Sequence, residues 1–147
     1  MKLYLSTPDR LQLPVDVESL RTLRHDLRTP INPILGYCEL IVEEAGDAAP
    51  APFVAGVQTP HAGGQRMLKL TNELFSEQPS PLHQLTCPEL LRRFRAPAAE
   101  AAALCTRLEQ EAKAAALPVA AEDLRRIGVA TGRWLARIEE LLEPNGR

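Results

Sequence analysis

The chain has 147 residues and a formal net charge of −2, which fits one domain or a domain with an accessory piece and excludes a generally basic nucleic-acid surface. Apolar residues are 45% and charged residues 24%, so the chain is neither disordered nor fibrous by composition. No apolar run reaches the roughly 18 to 20 residues that span a bilayer. The opening Met1-Lys2-Leu3-Tyr4-Leu5-Ser6-Thr7-Pro8 turns polar too early for a signal peptide. The expectation is a soluble, cytoplasmic protein with no nucleic-acid or membrane partner.

Aromatic residues are only 4%, while 13 prolines and 8 glycines divide the chain into segments. Stacked amphipathic helices suit this composition better than a sandwich or barrel, so the expected class is all-α. Cys38, Cys87 and Cys105 form no CxxC pair, and His25, His61 and His83 have no ligand spacing. Neither a disulfide framework nor a metal or cofactor site is expected on this chain.

Residues 1–14 read as an N-terminal arm, either a short strand or a loose lead-in. From about Val17 to Ala45, Leu20, Leu27, Ile34 and Ile41 recur every seven residues, with Ile31 and Cys38 in the second seam. Such an a/d pattern marks a long bundle or coiled-coil helix. Pro30 and Pro33 each remove a backbone donor, so a bend is expected there. Gly46-Asp47-Ala48-Ala49-Pro50 ends the helix. A second helix is predicted from about Pro52 to Phe75, with Phe53, Val57, Met67, Leu70 and Leu74 on its apolar face. Pro60 and Gly63-Gly64 weaken its middle. The short connection implies an antiparallel hairpin.

Thr86-Cys87-Pro88-Glu89 fits a capping box that opens a third segment. Pro97 is expected to kink or break it, leaving Ala98 to Leu117 as a strongly helical run. After Pro118 a last helix, about Ala120 to Glu143, carries the seam Leu124, Ile127, Thr131, Trp134, Ile138 and Leu141.

At about 100° per residue, His25 falls well away from the Leu20–Ile41 stripe. It should face solvent among Arg21, Arg28, Thr29 and Asn32. An exposed, neutral imidazole is a competent nucleophile, and the neighbouring guanidinium groups of Arg21 and Arg28 suit a phosphoryl group. Taken alone, an exposed helical histidine is ordinary.

The surrounding string is not ordinary. Leu23-Arg24-His25-Asp26-Leu27-Arg28-Thr29-Pro30-Ile31-Asn32-Pro33-Ile34-Leu35-Gly36-Tyr37-Cys38-Glu39-Leu40 resembles the phospho-accepting H-box of sensor histidine kinases. Gly64 to Phe75 is similar to the return helix of that domain. The resemblance covers about residues 17 to 77. It implies a hairpin over 15–78 that pairs with a second copy into a four-helix bundle, hence a homodimer. His25 would carry the phosphoryl group, and Asp26 would assist proton movement. Thr29 would help orient water during dephosphorylation of a response regulator. Pro30 would set the helix bend, and Asn32 would be a polar neighbour. Implied partners are a response-regulator receiver domain, which brings its own magnesium, and a sensor kinase. The setting would be bacterial two-component signalling.

Residues 79–147 depart from the family. An ATP-binding domain needs an asparagine-bearing helix and glycine-rich boxes, and neither is present. A faint echo runs from Leu90-Leu91 to Ala121-Glu122-Asp123-Leu124-Arg125-Arg126-Ile127. It places Arg133 and Arg137 where asparagines would stand, and it would make Ala101 to Ala112 a strand. The segment thus reads as a helical piece, or as the remnant of a kinase domain. The expected activity is histidine phosphotransfer or response-regulator phosphatase action, without autonomous ATP-dependent kinase activity. The alternative is a docking module with no phosphoryl chemistry. Arg92-Arg93-Phe94-Arg95 and Arg125-Arg126 read as solvated helix faces.

Overall fold

The computed structural model describes residues 4–6, 10–13 and 16–143. Within the arm, β1 (Tyr4–Ser6) and β2 (Arg10–Gln12) pair antiparallel, with Leu5 opposite Leu11. Leu11 and Leu13 pack on the helical core. Pro8 and Pro14 lie outside the described residues.

Helix α1 (Val17–Ala45) begins at Asp16, whose side chain accepts from the Ser19 backbone N–H at 2.6 Å. That bond holds the Asp16 carboxyl below its ordinary range, as expected for an acceptor at a helix N-cap. The helix runs without interruption through Pro30 and Pro33. Pro30 leaves the Asp26 carbonyl, and Pro33 the Thr29 carbonyl, without its helical donor. Both carbonyls belong to the polar side, so water can take the place of the missing donors. The opposite side carries the heptad seam, and Leu27, Ile31 and Ile34 are completely buried.

Helix α2 (Ala51–Leu74) returns against α1 after a short 3-10 turn (Gly46–Ala48). The two glycines that weaken it locally serve a close approach. A Cβ on Gly64 would stand 2.9 Å from Leu35 Cδ2 and 3.0 Å from Ile34 Cγ2, while one on Gly63 would meet Ala101 Cβ at 3.4 Å. The same turn of α2 therefore presses on α1 and on α3.

The connection to α3 (Cys87–Ala114) includes a 3-10 turn (Pro81–Gln84). His83 fastens it. Its Nδ1 accepts from the Ser80 N–H at 3.3 Å, and its Nε2 reaches the Leu74 carbonyl at 2.9 Å. The neutral Nε2–H form satisfies both contacts. Thr86 caps α3 as predicted, with Glu89 returning the bond to the Thr86 N–H at 3.0 Å.

Pro97 does not break α3, contrary to the sequence expectation, and Ala101 to Ala112 is helix rather than strand. Pro97 is buried, with α2 packed against this turn at Gly63. Tertiary contact there outweighs the loss of one helical hydrogen bond. The helix ends where Ala116 adopts φ 57°. Leu117 N–H bonds to the Ala112 carbonyl at 2.8 Å, and Ala116 N–H to the Lys113 carbonyl at 3.1 Å. This is a Schellman ending with alanine where glycine is usual.

Helix α4 (Pro118–Leu142) then lies between α3 and α1. Each helix packs on its sequence neighbours, and α4 closes the ring on α1. The result is an up-down-up-down bundle with one continuous core. Within one chain α3 and α4 pack against the α1–α2 hairpin, the segment that the H-box resemblance pairs with a second copy. The α1 seam is already covered by them.

Trp134 is completely buried and joins three helices. Its ring stacks on Phe94 with centroids 5.8 Å apart. Its Nε1–H donates to Thr71 Oγ1 at 3.1 Å, and Thr71 donates to the Met67 carbonyl at 2.8 Å. No buried side-chain nitrogen or oxygen among the described residues lacks a partner.

Cys38 of α1 and Cys105 of α3 are buried thiols, and burial pushes both up to about 12. At pH 8.5 an unfolded thiol is about half ionised, whereas these two remain protonated. Both are expected to resist iodoacetamide in the folded protein and to react on unfolding, as read by mass spectrometry. Equal labelling rates in the two states would contradict this. Raised native values also mean that the unfolded chain releases these protons first. Their contribution to stability is therefore lost as pH climbs from about 8.5 toward 12.

Candidate functional site

His25 lies on the outer side of α1, two residues beyond the buried Leu23. Its side chain is 82% exposed, more than those of Arg21 at 63% and Asp26 at 51%. Nδ1 stands 3.7 Å from Asp26 Oδ1, within ion-pair range but longer than a hydrogen bond. Nothing among the described residues covers the ring.

Thr29 Oγ1 donates to the His25 carbonyl at 3.0 Å. The hydroxyl proton is thereby committed, and only its lone pairs face outward. Asn32 is exposed two residues beyond Pro30. Arg21 pairs with Glu18 at 3.2 Å on the surface.

Arg28 is held more firmly. Its Nε and Nη2 both donate to Asn72 Oδ1, at 2.9 and 2.6 Å. Arg24 donates to the Phe75 carbonyl and pairs with Glu77 at 3.6 Å. These two guanidiniums clamp α1 to the C-terminal end of α2. Lower on the same pair of helices, His61 Nε2 meets Glu39 Oε2 at 2.9 Å. The neighbours that sequence spacing placed around His25 are therefore present, but Arg28 is a hairpin fastener before it is an anion binder. Asn72 and Glu77, which complete these clamps, were missed because the pairing of α1 with α2 is not visible in either helix alone.

On its other side α1 meets α4. Asp26, Thr29, Pro30, Pro33 and Tyr37 face Arg125, Arg126, Val129, Ala130, Arg133 and Arg137 across a cavity of about 640 Å³. The Arg126 guanidinium lies 5.8 Å from the centre of the Tyr37 ring. Among the described residues no group of His, Cys, Asp and Glu is arranged to hold a metal ion. No helix among them is long and apolar enough to cross a membrane.

A long bundle helix presenting an uncovered histidine, followed at once by an acidic residue and backed by a return helix, defines the histidine phospho-acceptor class of domain. Residues 17–79 match the His Kinase A (phospho-acceptor) domain family, and the chain carries that domain over α1 and α2. The match places the protein in two-component signalling, with histidine as the phospho-accepting residue type. Residues 80–147 lie outside it. No curated protein and no solved structure matches the chain.

Proposed function

We propose that the chain exchanges a phosphoryl group between His25 and the aspartate of a response-regulator receiver domain, with no ATP-dependent kinase activity of its own. The observation that carries this reading is the 82% exposure of the His25 side chain inside the matched segment. A nucleophile that must meet a phosphorylated side chain on another protein needs such access.

In the transfer, the Nε2 lone pair of neutral His25 attacks the phosphorus of the aspartyl phosphate. The P–N bond forms as the P–O bond to aspartate breaks, and the electron pair leaves with the carboxylate. The ring keeps its Nδ1 proton and becomes a phosphoimidazolium, and Asp26 offsets the new positive charge from 3.7 Å. Reversal follows the same path. Magnesium, if used, comes with the receiver. Thr29 contributes an acceptor oxygen that can orient water for dephosphorylation. Arg21 is the exposed guanidinium one turn before the imidazole, and Asn32 the exposed amide beyond it.

The test mixes purified protein with radiolabelled phospho-receiver domains. Acid-labile, alkali-stable label is expected on the wild type and absent from His25→Gln. A folded wild type that neither takes label nor removes it from any receiver would overturn the proposal.

A further inference from the structure

Three arginines of α1 stand within about one turn of His25, and their partners differ. Arg21 pairs with Glu18 at 3.2 Å. Arg24 pairs with Glu77 at 3.6 Å and donates to the Phe75 carbonyl. Arg28 meets no carboxylate among the described residues. Its Nε–H and one Nη2–H go to Asn72 Oδ1, at 2.9 and 2.6 Å. Asn72 in turn has no other side-chain partner among them.

The chemistry of that contact is specific. A guanidinium has five N–H donors in a fixed fork. Asn72 takes the two on the Nε side. The end of the fork, with an N–H from each terminal nitrogen, stays unclaimed, and it is the edge that grips two phosphoryl oxygens at once. An amide oxygen carries no charge, so the guanidinium is held without being neutralised. Arg28 and Asn72 are both half-buried, and holding the side chain in one place removes part of its ordering cost when an anion arrives.

The helix puts this group beside the imidazole. At about 100° per residue, Arg28 is turned about 60° from His25 toward one side, while Thr29 and Asp26 are turned toward the other. Residues three apart are helix neighbours, with Cβ atoms about 5–6 Å apart. His25 is thus flanked by a carboxylate on its α4 side and by an uncompensated guanidinium on its α2 side.

Resting on the phosphotransfer reading above, we infer that Asn72 is a positioning residue for phosphoryl transfer. It fixes Arg28 through a neutral acceptor, so that the free edge and the full charge of Arg28 meet the phosphoryl group on His25. A carboxylate at position 72 has the same shape and would hold Arg28 more tightly, but it would cancel the charge. A purely structural clamp gains from that exchange, and a positioning residue loses by it.

The test compares wild type, Asn72→Asp, Arg28→Gln and the double variant. Each full chain is labelled with phosphoramidate, with His25→Gln as the baseline. The P–N bond to the imidazole forms as the P–N bond to ammonia breaks, and ammonia leaves with the electron pair. No receiver is needed. Asn72→Asp is expected to slow labelling of His25 about tenfold, less than the loss of a donor in a water-excluded site, while its urea midpoint equals or exceeds that of the wild type. Arg28→Gln is expected to slow labelling equally, and the double variant to be no slower than Arg28→Gln, because Asn72 acts through Arg28. Wild-type labelling in Asn72→Asp overturns the inference. So does a joint fall of midpoint and labelling, which marks a clamp only, and so does a further loss in the Arg28→Gln background. A wild type that phosphoramidate leaves unlabelled overturns it as well, and the receiver assay then decides the transfer reading by itself. The expected pattern with phosphoramidate, combined with failure of every receiver, overturns the transfer reading alone.

Discussion

Replacing Trp134 with alanine is expected to lower the unfolding free energy by about 3–5 kcal/mol, the range for emptying a large aromatic site in a packed core. Three losses coincide. The indole is fully buried, so its removal leaves a cavity between α2, α3 and α4. The stacked contact with Phe94 disappears. Thr71 Oγ1 loses its donor but keeps its own bond to the Met67 carbonyl. A domain of this size holds about 5–15 kcal/mol in total, so the variant should sit close to the edge of folding. Trp134→Phe keeps a ring against Phe94 and forfeits mainly the hydrogen bond, which is worth about 1 kcal/mol. Guanidinium unfolding followed by far-ultraviolet circular dichroism would separate the two variants. Equal midpoints for Trp134→Ala and the wild type would show that α4 is not an integral part of the core.

Some of this was legible from the residues alone. The heptad seam in α1 names its buried side because a helix repeats nearly every seven residues, and Leu20 to Ile41 follow that repeat. The Thr86 cap was legible because capping is local chemistry within four residues. His25 was placed correctly on the exposed side by the same geometry, and its neighbours by helical spacing. What failed was non-local. Pro97 looked like a break because its backbone cost is visible in the sequence, while the support from α2 at Gly63 is not. Ala116 carries no sign of its left-handed conformation, since glycine is the usual marker. The bond that fastens Arg28 was missed because Asn72 lies 44 residues away. The α4 arginines were read as an ordinary solvated face or as the echo of a lost nucleotide site. Their place beside the H-box depends on α4 packing against α1, which neither helix announces. The same blindness hid the closing of the bundle within one chain.

That closing carries the second large prediction. The α1 seam and the α2 residues Phe53, Val57, Met67 and Leu74 form one apolar surface, now covered by α3 and α4. Each large side chain in it gains about 1.5–3 kcal/mol from burial, more than an isolated hairpin can forgo. The intact chain, with this surface already covered, is expected to sediment as a monomer of 16.2 kDa at micromolar concentration. A chain ended after Pro79 is expected to lose that state and recover helix only by pairing with a second copy. Sedimentation equilibrium and circular dichroism over a concentration series would show this as concentration-dependent helicity at twice the fragment mass. A monomeric, fully helical fragment would mean that the α1–α2 hairpin needs no cover. A dimeric intact chain would mean that α3 and α4 do not replace the partner hairpin. Under the expected outcome, one histidine serves each bundle. Phosphoryl incorporation then saturates at one per chain, and mixing wild type with His25→Gln leaves the labelled fraction equal to the wild-type fraction.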